Sequence, residues 1–274
     1  MPELTVADGV SLYYEDSGGD GRPVVLIHGW SLSAAAWAAN VGPLTAAGYR
    51  VVAYDRRGFG RSSKPSTGYD YDTLTADLAS LMEQLDLTDA VLVGFSMGGG
   101  EVARYLGTQD VGRLAGVVFA SSVTPALGIT DTNPGGAMPI QGFTDMQDAC
   151  RADREGFLED FLVSFFSTPT GLKASPEQVA AAHEIAAQAA LPALVETIGL
   201  WAQDFRADLA NAGVAVLVIH GEGDQNVPFA ASAARMGDII PTSQLEVIPD
   251  GPHGINVTHA EAFTRALIGF ADVL

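Results

Sequence analysis

Ser96 lies in Val91-Leu92-Val93-Gly94-Phe95-Ser96-Met97-Gly98-Gly99-Gly100, where an apolar run ends in Gly-x-Ser-x-Gly and a helical segment through Val102 and Leu106 begins. A serine at such a strand–turn–helix junction sits on a tight turn, and small neighbours at Gly94 and Gly98 let backbone segments approach closely. The helix start behind it directs free N–H groups and a positive dipole at the hydroxyl oxygen. That is the setting of a nucleophile, and the glycine spacing does not suit a dinucleotide-binding turn. A protonated hydroxyl attacks poorly and needs a base. Of His28, His183, His220, His253 and His259, His253 has the suitable place, in Asp250-Gly251-Pro252-His253-Gly254 between the last apolar run and the last helical pattern. The loop reads as exposed and mobile, so the imidazole could swing toward Ser96. His220 ends an apolar run and reads as a hydrogen-bonded structural group, His183 as a surface residue and His259 as a solvated helix-start residue. No histidine pair has the H-E-x-x-H spacing of a zinc site.

A histidine base needs a carboxylate to fix its tautomer and stabilise the imidazolium. Asp224 follows the penultimate apolar run in His220-Gly221-Glu222-Gly223-Asp224-Gln225. Glu222 is its rival, and Asp250 is too close to His253 along the chain to be the first choice. The loop after the preceding run, Ser121-Ser122-Val123, offers no carboxylate. Acyl transfer also requires two N–H donors for a developing oxyanion. The backbone amide of Met97, directly after Ser96, supplies one. That of Trp30, in His28-Gly29-Trp30 after the run 24–27, supplies the other. The chemistry implied is covalent acyl transfer, with nucleophile, acid and base in the order Ser–Asp–His along the chain.

The elements that must hold these groups are legible as alternating patterns. Apolar runs at 24–27, 51–54, 90–93, 116–120, 214–219 and 245–248 show little polar alternation, as expected of strands covered on both faces. Leu74, Leu78, Leu81 and Leu85 recur at helical spacing behind Asp72 and Thr73, either of which suits the cap position. Thr258 and Glu261 form a T-x-x-E capping box for a final helix toward Phe270. Alternating strand and helix predicts a mostly parallel sheet wrapped by helices, preceded by an antiparallel hairpin near 4–6 and 11–14. The rhythm breaks across 124–208, with Pro125, Asn133-Pro134-Gly135-Gly136 and a capping box at Ser175-Pro176-Glu177-Gln178. This segment reads as a helical cap inserted before the penultimate strand, between core parts 1–123 and 209–274. Phe157, Phe161, Phe165 and Phe166 share a helical face or its end, fit either to pack the cap on the sheet or to line a pocket beneath it.

Composition narrows the partners. The 274 residues carry 14 Lys+Arg against 33 Asp+Glu, a net charge of −19, which repels phosphate backbones and anionic lipid. Nucleic acid and membrane are therefore not expected partners, and no apolar run nears the ~18 residues of a span. The lone Cys150 reads as a packing residue and carries no mark of an oxidising compartment. The start, Met-Pro-Glu-Leu-Thr-Val-Ala-Asp, has no secretory pattern, so a cytoplasmic location is expected.

The motifs together resemble the α/β-hydrolase superfamily and, within it, the cofactor-free (non-haem) haloperoxidases and aryl esterases of bacteria. The resemblance rests on His28-Gly29-Trp30, Tyr54-Asp55-Arg56-Arg57-Gly58 with Gly60-Arg61-Ser62-Ser63, Gly94 to Tyr105, Asn133-Pro134-Gly135-Gly136, His220 to Phe229 and Pro252-His253-Gly254. It implies an α/β-hydrolase fold, a Ser96–His253–Asp224 triad, an oxyanion hole from Trp30 and Met97, and no metal or cofactor. The implied activity is hydrolysis of small to medium carboxylic esters, with perhydrolysis as a side reaction in which peroxide replaces water and the peracid oxidises halide. Two positions depart from the family pattern. Ser31 stands where many members have a proline associated with peroxide use, and Phe59 stands where histidine is more usual. Ser31, Val123, Phe143, Val227 and Phe229 are the expected pocket walls, and the partner is a small-molecule ester, with a homo-oligomer compatible. Rival readings are a lactonase or amidase, a principal perhydrolase, or a ligand receptor that binds without turnover. A carboxylate at the elbow would be needed for a dehalogenase or an epoxide hydrolase, and Ser96 is a hydroxyl.

Overall fold

The computed structural model describes residues 2–210 and 212–274. It opens with β1 (Glu3–Thr5) and β2 (Ser11–Asp16), the antiparallel hairpin expected from the sequence. Strand and helix then alternate through β3 (Pro23–Ile27), α1 (Ala38–Ala46), β4 (Arg50–Tyr54), α2 (Tyr71–Gln84), β5 (Ala90–Phe95), α3 (Met97–Thr108) and β6 (Leu114–Ala120). Short strands β7 (Gly128–Ile129) and β8 (Met138–Pro139) lead into α4 (Ile140–Ala152) and α5 (Arg154–Phe165). The hairpin β9 (Ser167–Thr168) and β10 (Gly171–Leu172) follows, then α6 (Pro176–Ala186), α7 (Leu191–Leu200) and α8 (Arg206–Leu209). The chain finishes with β11 (Ala215–Gly221), α9 (Ala233–Ile239), β12 (Gln244–Ile248), α10 (Ile255–Thr258) and α11 (Ala260–Ala271).

Eight strands form one sheet in the order β1-β2-β4-β3-β5-β6-β11-β12. Every neighbouring pair from β4 to β12 is parallel, and only the β1–β2–β4 edge is antiparallel. The central β5 is buried along its whole length, which is why its run shows no alternation: helices cover both of its faces. Among the described residues no helix is long and apolar enough to cross a membrane. Cys150 is buried on α4, packed in the core.

Two expected helix starts are corrected. Asp70, not Asp72 or Thr73, caps α2; its backbone is extended and its carboxylate accepts the Thr73 amide at 2.8 Å. Asp72 and Thr73 already lie in the first turn, because the helix begins at Tyr71, one residue before the candidates. Thr258 forms no capping box with Glu261. It closes the short α10, its hydroxyl donates back to the Gly254 carbonyl at 3.1 Å, and α11 starts after His259 without a side-chain cap. The Ser175 box does form, with Ser175 N–H donating to Gln178 at 2.9 Å and Pro176 in the first turn.

Two buried ion pairs brace the layer beneath the site. Arg56 and Glu101 are both fully buried, with Nε and Oε2 2.6 Å apart. Tyr54 donates its hydroxyl to the same carboxylate, and Arg56 also donates to the His28 carbonyl. These bonds join the ends of β3 and β4 to α3. Arg57 pairs bidentately with Asp77 of α2 at 2.6 and 2.7 Å. Burial opposes the Arg56 charge, and Glu101, helped by the nearby tyrosines, more than restores it. Removing one partner strands the other, so Glu101→Leu is expected to cost about 3–5 kcal/mol in urea unfolding. Adding Arg56→Met to that variant should recover a large part of the loss, and a double variant no more stable than the single one would contradict the assignment.

Candidate active site

Ser96 is the single residue between the end of β5 and the start of α3, with φ 55° and ψ −119°. That conformation is strained for a side-chain-bearing residue, and its surroundings impose it. Its amide donates to the Ala120 carbonyl of β6 at 2.8 Å, and its carbonyl accepts from Gly99 and Val123 at 2.9 and 3.2 Å. The turn closes only over glycine. A Cβ on Gly94 would lie 2.5 Å from the Gly98 carbonyl oxygen, and one on Gly98 would lie 2.7 Å from that of Ile27.

Ser96 Oγ is 2.8 Å from His253 Nε2, and His253 Nδ1 is 2.7 Å from Asp224 Oδ2. The sequence led us to expect an exposed, mobile His253; the structure shows it 1% exposed and fixed. Its ring lies between Phe95 and Phe165 at centroid distances of 5.3 and 5.0 Å. Its carbonyl accepts the Ser121 hydroxyl at 3.0 Å, and the next amide, Gly254, donates to Phe165 at the end of α5. Pro and Gly give this loop its shape, and the neighbouring aromatics, unseen in a local reading, remove its mobility.

The Asp224 carboxylate is fully buried, and Oδ1 accepts the amides of Asn226 and Val227 at 3.0 and 2.8 Å. Burial alone would raise its pKa. The His253 charge and hydrogen bond, with the His220 ring 3.2 Å away, win and hold it at about 2. The rivals lie elsewhere: Glu222 is exposed, and Asp250 bonds Thr168, Thr170 and Lys173 around the β9–β10 hairpin. His183 is half-exposed on α6 and His259 partly buried before α11. His28 is buried, with its Nε2 accepting the Arg56 amide at 3.1 Å, and burial together with Arg56 keeps it neutral.

Met97 opens α3, so its amide lies outside the helical ladder. Neither that amide nor the Trp30 amide finds an acceptor among the described residues. The loop carrying Trp30 abuts Ser96: a Cβ on Gly29 would lie 3.1 Å from Ser96 Cβ. The Trp30 indole donates to the Leu194 carbonyl of α7 at 3.0 Å and packs edge-on against Phe161 and Trp201, 4.6 and 5.2 Å away.

A cavity of about 340 Å³ opens onto Ser96 and His253. Among the expected walls, the structure brings Val123, Phe143 and Val227 to it and leaves out Ser31 and Phe229. Ser31 is fully buried, with its backbone in the left-handed region at φ 60°, and Phe229 packs against the His220 ring, 5.8 Å off. Of the four phenylalanines on and just after α5, Phe157 and Phe161 line the cavity while Phe165 and Phe166 are buried outside its lining. Sequence reasoning missed Leu127, Met138 and Trp201, which come from a loop, a short strand and the end of α7, and Met146, which follows Phe143 by three residues on α4. It also missed Asp160 and Ser164, whose signal was available: they follow Phe157 and Phe161 by three residues on the same helix, so one face of α5 is apolar on one side and polar on the other.

The α/β-hydrolase fold model matches residues 22–260, and the chain belongs to that family. Within it, the full-length relatives are more particular. The crystal structure of a bromoperoxidase from Bacillus anthracis superposes with a TM-score of 0.95 at 42% identity, covering 99% of this chain and 100% of that one. A non-heme chloroperoxidase of Streptomyces lividans is 40% identical over 98% of this chain and 99% of its own length. A bifunctional esterase/perhydrolase of Acinetobacter calcoaceticus is 36% identical over 98% and 99%.

The depressed Asp224 pKa has a consequence for acid stability. A carboxyl held at about 2 when folded, against an ordinary ~3.9, adds stability that is full above pH 4 and vanishes as pH falls through 2. Between pH 5 and pH 2, Asp224→Asn should therefore lose about 2 kcal/mol less than the wild type in denaturant titrations. Equal losses in the two proteins would show that Asp224 carries no such linkage.

Proposed function

We propose that the protein is a serine carboxylesterase acting through an acyl-enzyme, with Ser96 as nucleophile, His253 as base and then acid, and Asp224 as the group that orients His253. The observation carrying this reading is the continuous relay from Ser96 Oγ through His253 to Asp224, at 2.8 and 2.7 Å. Ser96 Oγ attacks the ester carbonyl while its proton passes to His253 Nε2. Asp224 accepts from Nδ1, which keeps the lone pair of Nε2 facing the serine. The free amides of Trp30 and Met97 receive the carbonyl oxygen as it gains charge. The tetrahedral adduct collapses, and the alcohol leaves with the proton from His253. Water, deprotonated by the same imidazole, then releases the carboxylic acid and restores Ser96.

The segment 124–208 acts in this reading as a cap that shapes the acyl pocket, between core parts 1–123 and 209–274. Its phenylalanines, methionines and Trp201 favour small to medium esters with an apolar group, a dry lining in which oxyanion donors act strongly. The names of the relatives favour a second activity on the same acyl-enzyme. Hydrogen peroxide in place of water gives a peracid, which oxidises halide to hypohalous acid and returns to the carboxylic acid. Ser31 sits at φ 60°, which a proline ring, fixed near −65°, does not adopt, so hydrolysis is expected to dominate.

Release of a chromophoric phenol from a short acyl ester tests the proposal. Ser96→Ala should lower kcat by ~10³ or more. The wild-type kcat/KM should fall on acidification, since a protonated His253 cannot accept the serine proton. Equal turnover by wild type and Ser96→Ala would exclude Ser96 as nucleophile.

A further inference from the structure

Two imidazoles reach the same oxygen of Asp224. His253 Nδ1 approaches Oδ2 at 2.7 Å, and His220 Nε2 lies 3.2 Å from it. His220 Nε2 is also 2.9 Å from the Val227 carbonyl oxygen. Both neighbours are acceptors, so the nitrogen between them carries the proton, which is directed at the Val227 carbonyl with Asp224 Oδ2 beside it. The other ring nitrogen, Nδ1, is buried and without a hydrogen-bond partner among the described residues. A neutral ring leaves only a lone pair there, whereas an imidazolium would bury an unpaired N–H at greater cost. Asp224 thus accepts three hydrogen bonds, two amides on Oδ1 and His253 on Oδ2, with the His220 N–H a close polar neighbour of Oδ2 at 3.2 Å.

We propose that His220 is a positioning residue for the reaction: a neutral second imidazole that holds Asp224 Oδ2 against His253 and tempers how strongly that carboxylate holds the His253 proton. The inference rests on the triad reading above. The titratable groups facing Asp224 are His220 from β11 and His253 from the loop after β12, with Ser96 beyond His253. The other neighbours are the uncharged rings of Phe95 and Phe165 on His253 and of Phe229 on His220. Without the His220 N–H dipole 3.2 Å from Oδ2, the buried carboxylate loses a compensating positive neighbour and its negative charge falls more fully on His253. The imidazolium form is then favoured, and the base is lost at higher pH.

The test compares wild type, His220→Gln and His220→Met on a neutral phenyl ester from pH 5 to 9, with thermal midpoints measured alongside. Glutamine retains an N–H donor near the Nε2 position, and methionine fills the space without one. The acid limb of kcat/KM should rise by about 0.5–1 pH unit in His220→Met, a three- to tenfold change in proton affinity, with a several-fold loss of kcat. In His220→Gln the limb should stay within about 0.3 unit of wild type. An unchanged or lowered limb in folded His220→Met overturns the proposal. Should neither variant fold, nitrogen-15 shifts of labelled histidine in the wild type decide. A neutral His220 protonated at Nε2 across that range supports it, and protonation at Nδ1 overturns it. Failure of the esterase reading would look different, as absent wild-type turnover or an active Ser96→Ala.

Discussion

The site depends on one residue holding a backbone conformation that its own side chain resists. Ser96 must end β5 and begin α3 in a single step, and at φ 55° that costs about 1–3 kcal/mol locally. The cost is met by the surroundings. Both neighbouring strands lend hydrogen-bonding partners or close contacts, and glycine at 94 and 98 removes the Cβ atoms that would hold the helix away from the sheet. The result is a hydroxyl raised above the C-terminal edge of the sheet, where the loops after β3, β6, β11 and β12 converge.

Those loops are held by groups with no part in bond making. Arg56 and Glu101 join the strand ends under the Trp30 loop to α3, so the two free amides belong to one braced unit. Trp30 extends this bracing into the cap through Leu194, Phe161 and Trp201. The His253 loop is fixed on its core side by Ser121 and on its cap side by Phe165. The segment 124–208 and the sheet therefore meet at the residues of the proposed site. On that proposal, a change in the segment that alters substrate fit is expected to reach His253 and the Trp30 loop as well.

The strands, their parallel arrangement and the three groups of the relay were legible because each leaves a local signature: an unalternating apolar run, a glycine-flanked serine, a carboxylate or histidine just past a strand. What escaped was set by distant packing. The apparent mobility of His253 came from reading Asp250-Gly251-Pro252 by itself, whereas Phe95 and Phe165 come from far along the chain. Ser31 and Phe229 looked like pocket walls by their neighbours in sequence, but Ser31 is fully buried in a left-handed backbone position and Phe229 packs on the His220 ring. Leu127, Met138 and Trp201 sit in segments without period, where no spacing rule applies. The cap of α2 was misplaced by two or three residues and that of α11 by one, because a carboxylate or hydroxyl before an apolar run fits several nearby positions equally well.

The central claim is that an acyl group resides on Ser96 between the two halves of the cycle. Mass spectrometry of the protein quenched in acid during turnover of a slowly released ester measures this directly. The account predicts a mass increase of one acyl group per chain, on the peptide that contains Ser96. An unmodified Ser96 with turnover in progress, or the acyl group on Cys150 or another residue, would contradict it.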